Sequence, residues 1–298
     1  MNLRSTAILS SLSIGILAAR KFDKKETAAL AQRHGANEKA LHLNKTLFST
    51  SEHYQAITAV RSRARAYIND HTNPWDGEGW RIMRSSEFME MSAEIRKFEL
   101  EFDHAVKPFL VEYQSGRLRD KAVLNGLWRE EDYPPVEKAK KKFYFELEFQ
   151  PLPDVSDWRV DVGREEMEVL RRQAEKSVQD RINKSMVEPH YRLFDGVAHM
   201  ASRITGAKTC PCRGCKNRMF LSDSVSDSLV DNLRKICDIL PKLNITDDPN
   251  LAALIEEAKA GLLSFNVGTI RENPTVRNTL AERAAKLQSE LGWVLNAA

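Results

Sequence analysis

The sequence predicts a mainly α-helical protein, a long-helix bundle carrying one small β-hairpin at about 142–162 packed on it. Three observations carry that expectation. Apolar residues recur at three- and four-residue steps along most of the chain, which is the period of one helix face. Cap residues followed by helix starters punctuate those stripes, as at Asp248-Pro249 and Asn273-Pro274. Strict two-residue alternation marks one stretch, Lys142 to Gln150.

Ala7 to Ala19 is apolar and flanked by Arg4 and by Arg20 with Lys21. It is short for a membrane span, which needs about 20 mostly apolar residues, and Ser10, Ser11 and Ser13 interrupt it. We read it as a buried N-terminal element rather than a cleaved leader. The box Ser49 to Glu52 opens a helix that turns Ile57, Val60, Ala64, Tyr67 and Ile68 inward. Trp75 and Trp80 fall in the loop that follows. A longer stripe then runs from Glu87 to about Tyr113 through Phe88, Met91, Ile95, Phe98, Phe102, Ala105 and Phe109, with Ser85 or Ser86 to cap it. Pro108 lacks an amide proton and crowds the carbonyl of His104, which predicts a kink.

In the alternating stretch Phe143, Phe145, Leu147 and Phe149 share one face, opposite Tyr144, Glu146, Glu148 and Gln150. Trp158, Val160 and Val162 alternate again after Pro151 to Ser156, so the two runs are read as one hairpin. A lone hairpin is only marginally stable and must pack on a helix or pair with a neighbouring subunit. From Arg164 the stripe Leu170, Ala174, Val178, Ile182, Met186 continues past Pro189 as Leu193, Val197 and Met200. Ser224 with Asp227 opens a helix through Leu240, and the last helix carries Val276, Leu280, Ala284, Leu287, Leu291 and Val294. Such narrow stripes suit helix pairing. The expected organisation is a helical region 1–132, a hairpin insert 133–163 and a second helical region 164–298 within one elongated domain. Asp132 to Pro135 and Lys208 to Asn217 mark the boundaries.

The composition is that of a folding chain rather than a disordered or fibrous one: 298 residues, 42% hydrophobic and 29% charged. With 45 basic against 42 acidic residues the net charge is only +3, so a nucleic-acid role needs a local basic patch. Four cysteines are too few for a disulfide framework in a chain of this length, and they fit a reducing compartment.

Two clusters carry chemistry. Cys210, Cys212 and Cys215 lie in one Gly-containing turn, a set of thiolates able to grip a structural zinc with Cys237 or His199 as fourth ligand. The bland alternative is an exposed loop of reduced thiols, with Cys237 a small apolar core residue. Lys138, Lys140, Lys141 and Lys142 lead into Phe143-Tyr144-Phe145, joining phosphate-neutralising charge to one outward ring, Tyr144, that can stack a base. Arg61, Arg63 and Arg65 form a second basic cluster. The bland alternative here is a solvated helix end running into a core strand. No Gly-rich phosphate loop, His-Glu-x-x-His pair or Gly-x-Ser-x-Gly elbow is present, so no enzyme is expected. Asp247 with Asp248 resembles a metal pair, but Pro249 makes helix capping the better reading.

Residues 11–25, SLSIGILAARKFDKK, resemble the opening of a family of tailed-phage proteins of unknown function. So do FQPLPDVSDWRV, residues 149–160, and SLVDNLRKICDILPKLNITDDPNL, residues 228–251. The resemblance implies a phage protein encoded near MoxR-type AAA+ ATPases and phage replication or recombination genes, working in the cytoplasm of the infected bacterial host. It supplies no catalytic residues, and the cysteine cluster departs from its pattern. The reading that follows is a non-catalytic homo-oligomer that binds single-stranded nucleic acid and no membrane. The alternatives are an adaptor or substrate of an AAA+ ATPase without nucleic-acid affinity and, last, a zinc or thiol enzyme.

Overall fold

The structure is a computed structural model that describes residues 3–77, 79–154, 164–205 and 226–297. Its element order is α1 (Leu3–Thr6), β1 (Ala7–Gly15), β2 (Arg20–Phe22), α2 (Lys24–His34), β3 (Asn44–Thr46), α3 (Glu52–His71), β4 (Asn73–Pro74), β5 (Arg81–Arg84), α4 (Phe88–Val111), α5 (Tyr113–Leu124), α6 (Val136–Lys140), β6 (Tyr144–Pro151), α7 (Arg164–Thr205), α8 (Asp227–Leu243), α9 (Pro249–Leu262), α10 (Val267–Glu272) and α11 (Pro274–Ala297). The protein is mainly α with a small antiparallel sheet, ordered β4-β5-β1-β6, and a two-stranded ribbon of β2 and β3.

Two compact units result, and neither is continuous in sequence. One comprises 1–11, 69–88 and 149–298; the other comprises 12–68 and 89–148. The division does not follow the three successive regions that a linear reading suggests, because strand pairing joins segments far apart in the chain: Ala7 pairs with Arg84 and Ser10 with Arg81. Asp132 to Pro135, read as a boundary, lie inside the second unit.

In the first unit, the apolar stripes become one core. Leu193, Val197 and Met200 of α7 meet Leu233, Cys237 and Leu240 of α8, Leu251, Ile255 and Leu262 of α9, and Leu280, Ala284, Leu287 and Leu291 of α11. Gly196 sets the approach of α7 and α8, since a Cβ there would lie 2.8 Å from Cδ1 of Ile236. α7 stays helical through Pro189, and Asp248 caps α9 by accepting the Asn250 amide at 2.9 Å. Trp75, in the loop between β4 and β5, is buried in this core at 5% exposure.

The second unit is built around aromatic rings. Phe48, φ +53°, is held in the left-handed region, where a bulky residue is strained. Its amide donates to the buried Asp120 carboxylate at 2.6 Å, and its ring packs 5.1 to 6.1 Å from Tyr54, Phe109, Tyr113 and Tyr133. Gly116 leaves room for that ring, which a Cβ would approach to 3.2 Å. The cap of α3 is Ser51, whose hydroxyl accepts the Tyr54 amide at 3.3 Å, not the expected Ser49. α4 ends at Val111, a single turn past Pro108, and the chain resumes as α5.

Ala7 to Gly15, expected only as a buried element, is β1, which lies between β5 and β6 in the sheet. The alternation in β6 holds, with Phe145, Leu147 and Phe149 half-buried and Tyr144, Glu146, Glu148 and Gln150 exposed. Its described partner is β1 rather than a hairpin return; Trp158 to Val162 lie outside the described residues.

Candidate nucleic-acid interface

α3 spaces Arg61 and Arg65 four residues apart, one turn, so both fall on one face, while Arg63 projects to the opposite side. Arg63 is accounted for there: it pairs with Glu101 of α4 and lies 5.6 Å from the centre of the Phe98 ring. The expected triplet therefore divides, because a helix of 3.6 residues per turn sends alternate residues apart.

Arg65 reaches the strand layer, donating to the carbonyl oxygen of Ile14 at 3.4 Å. The next residue, Gly15, carries the ring of Tyr144: a Cβ on Gly15 would come within 2.1 Å of that ring. Only glycine permits this approach. One face of Tyr144 is thus laid on the β1 backbone, and the residue keeps 44% of its surface exposed. Burial, then the like charge of Arg61, lowers the pKa of Arg65, while Tyr144 acts in the opposite sense. A guanidinium stays charged regardless. The Nε of Arg61 is buried and has no hydrogen-bond partner among the described residues. Two guanidiniums one turn apart repel, and an anion between them would relieve the repulsion.

Lys138, Lys140, Lys141 and Lys142 are all exposed, at the end of α6 and in the turn that enters β6 two residues before Tyr144. Here the sequence expectation and the structure agree on exposure. What the structure adds is the adjacency of Arg61, Arg65 and Tyr144, about 80 positions apart in the chain.

Of the proposed zinc ligands, Cys210, Cys212 and Cys215 lie outside the described residues. Cys237 sits fully buried in the apolar core of the first unit, and burial pushes its thiol up to about 11. His199 is exposed on α7. Among the described residues no three His, Cys, Asp or Glu side chains gather as a metal-ion group. A buried thiol with a raised pKa is a poor nucleophile. Cys237 should resist iodoacetamide in the native chain at pH values near 8 and react only after denaturation; peptide mapping by mass spectrometry measures this.

A groove of about 630 Å³ in the first unit is lined by Asp70, Glu188, Arg192, Asp195, His199 and Lys235, among others. Arg192 in its lining is satisfied internally, since it pairs with Glu188 at 2.9 Å and donates to the Asp70 carbonyl at 2.8 Å. The Asp247 and Asp248 pair does structural work: Asp248 caps α9 and Asp247 pairs with Arg84.

The sequence reading missed a buried ion cluster in the second unit. Lys45, 4% exposed, meets Asp23 at 3.2 Å, Asp132 at 2.6 Å and the Leu127 carbonyl at 2.9 Å. Arg129 approaches Asp23 at 3.4 Å. A single lysine between Asn44 and Thr46 gives no sign of this, because its partners come from two distant stretches, at Asp23 and at 127–132. No described helix is long and apolar enough to cross a membrane. Comparison with protein families, with curated proteins and with solved structures finds no match to this chain.

Proposed function

We propose that the chain is a non-catalytic, self-assembling protein that binds single-stranded nucleic acid, in the replication or recombination of phage DNA in the bacterial cytoplasm. The observation that carries the reading is the placement of Tyr144 on Gly15 beside Arg65 and Arg61. A ring with one face supported by backbone offers the other to a base, and an unpaired strand presents its bases for such stacking. The guanidiniums supply phosphate contacts beside it, and Lys140, Lys141 and Lys142 extend the positive charge along the chain entering β6. A duplex hides its base faces, so the arrangement favours single strands.

The test is a salt-titrated anisotropy measurement with labelled single- and double-stranded oligonucleotides. Single strands should bind more tightly. Tyr144→Ala should weaken binding about tenfold, taking roughly 1–3 kcal/mol for one stacked base, while leaving the salt slope unchanged. Arg61→Ala with Arg65→Ala should reduce the slope by about 1.4, at roughly 0.7 per phosphate contact. Arg63→Ala is the control, because Glu101 already neutralises that charge. Absence of binding at low salt rejects the reading in favour of a protein-interaction adaptor.

A further inference from the structure

The first unit draws on only part of α7. Core contributions from this helix begin at Val178 and run to Ile204. From Glu165 to Ser177 no residue is buried, and Val169 is 47% exposed. Among the described residues, then, none of these 13 positions of helix joins the core. An isolated helix of about 12–15 residues is marginal in water, and the described contacts of this one are local, such as the Arg171 to Glu175 pair at 3.2 Å.

The stretch nevertheless carries a seam. Met167, Leu170 and Ala174 step by three and then four, and each is half-buried, while the residues around them are exposed. A 3-4 step is the coiled-coil a-d-a pattern. With Met167 at a and Leu170 at d, Glu166 occupies g and Arg171 occupies e. In a parallel pair, g of one helix faces the following e of the other, which sets Glu166 against Arg171 of the second copy, twice by symmetry. An antiparallel pair centred on the same stripe sets Arg171 against Arg171. The charges flanking the seam therefore complement a second copy of this helix in one orientation only.

We propose that residues 165–177 of α7 form a short parallel coiled coil with the same segment of a second copy, which dimerises the protein. The inference rests on the self-assembly reading above and gives it a surface, an occupant and an orientation. A seam this short with alanine at one a position makes a reversible dimer, whose mass depends on concentration.

Sedimentation equilibrium of the full chain tests it. The expected result is a monomer–dimer equilibrium of the 34.0 kDa chain. Leu170→Glu should leave only monomer, whereas Val169→Glu, outside the seam, should leave the equilibrium unchanged. Glu166→Arg should weaken dimerisation about tenfold by turning two attractions into repulsions, and adding Arg171→Glu should restore it. Circular dichroism of each variant checks that the fold is kept, and the surface charge swap carries the test even where Leu170→Glu disturbs the helix. A chain that stays monomeric at its highest soluble concentration overturns the proposal, as does an oligomer indifferent to Leu170→Glu or a double variant no stronger than Glu166→Arg alone. Oligonucleotide affinity of the monomeric variant reports on the Tyr144 patch by itself, so failure of the coiled coil and failure of nucleic-acid binding remain distinguishable.

Discussion

Lys45→Ala should destabilise the unit that holds it by about 3–5 kcal/mol, the range for removing one partner from a buried ion pair. The Lys45 side chain is 2% exposed and faces two carboxylates, of Asp23 and Asp132, with Asp23 equally buried. Removing the ammonium leaves Asp23, among the described residues, with Arg129 at 3.4 Å and the Glu26 amide at 3.2 Å to offset its burial. The denaturant midpoint measures the loss, and a change below about 1 kcal/mol, the size of an exposed pair, would show that the cluster is solvated after all. The same cluster predicts an acid dependence. Burial acts to raise the Asp23 pKa, but the Glu26 amide, Lys45 and Arg129 together outweigh it and hold the carboxyl below its usual value. A depressed folded pKa means that the unfolded chain takes up the proton first. Stability from Asp23 is therefore complete above roughly pH 4, the unfolded value, and is lost as pH falls toward the lower folded value. Asp23→Asn should flatten that acid limb of the midpoint-against-pH curve.

Asp120→Leu should cost about 2–6 kcal/mol, because two buried donors lose their acceptor at roughly 1–3 kcal/mol each. Asp120 is 1% exposed and accepts from the Phe48 amide at 2.6 Å and from the Tyr133 hydroxyl at 2.8 Å. Burial and this bond to Asp120 raise the pKa of Tyr133, which keeps it a donor. The Phe48 bond also holds a residue in a strained left-handed conformation. Asp120→Asn keeps an acceptor oxygen and should lose markedly less, so the difference between the two variants in urea midpoint isolates the hydrogen bonds from the packing.

How much of the candidate interface was legible depended on whether its geometry was local. Exposure of Tyr144 followed from alternation along one strand, a period that the sequence displays, and that of Lys140, Lys141 and Lys142 from their charge, which resists burial without a partner. The division of Arg61 and Arg65 from Arg63 was equally implicit in helical spacing, yet the three were read as one cluster because they are close in sequence. That Tyr144 rests on Gly15 had no local signal, since a glycine in a strand pattern marks some close approach without naming the visitor. The Lys45 cluster was invisible for the same reason, with its carboxylates 22 and 87 positions away.

By itself, the sequence determined the periods: that α3, α4, α7, α8, α9 and α11 are helical, which face of α3, α4, α7 and α11 is apolar, and where β6 alternates. Asp248 capped α9 and the α11 stripe became core because capping and amphipathicity act within a few residues of chain. Only the tertiary structure decided what those faces meet. It put Ala7 to Gly15 into the sheet between β5 and β6, drew each unit from separated segments, and, among the described residues, left the first turns of α7 outside the core. Burial of apolar surface rewards any complementary face without direction or regard to distance along the chain, so partners are chosen by the whole fold.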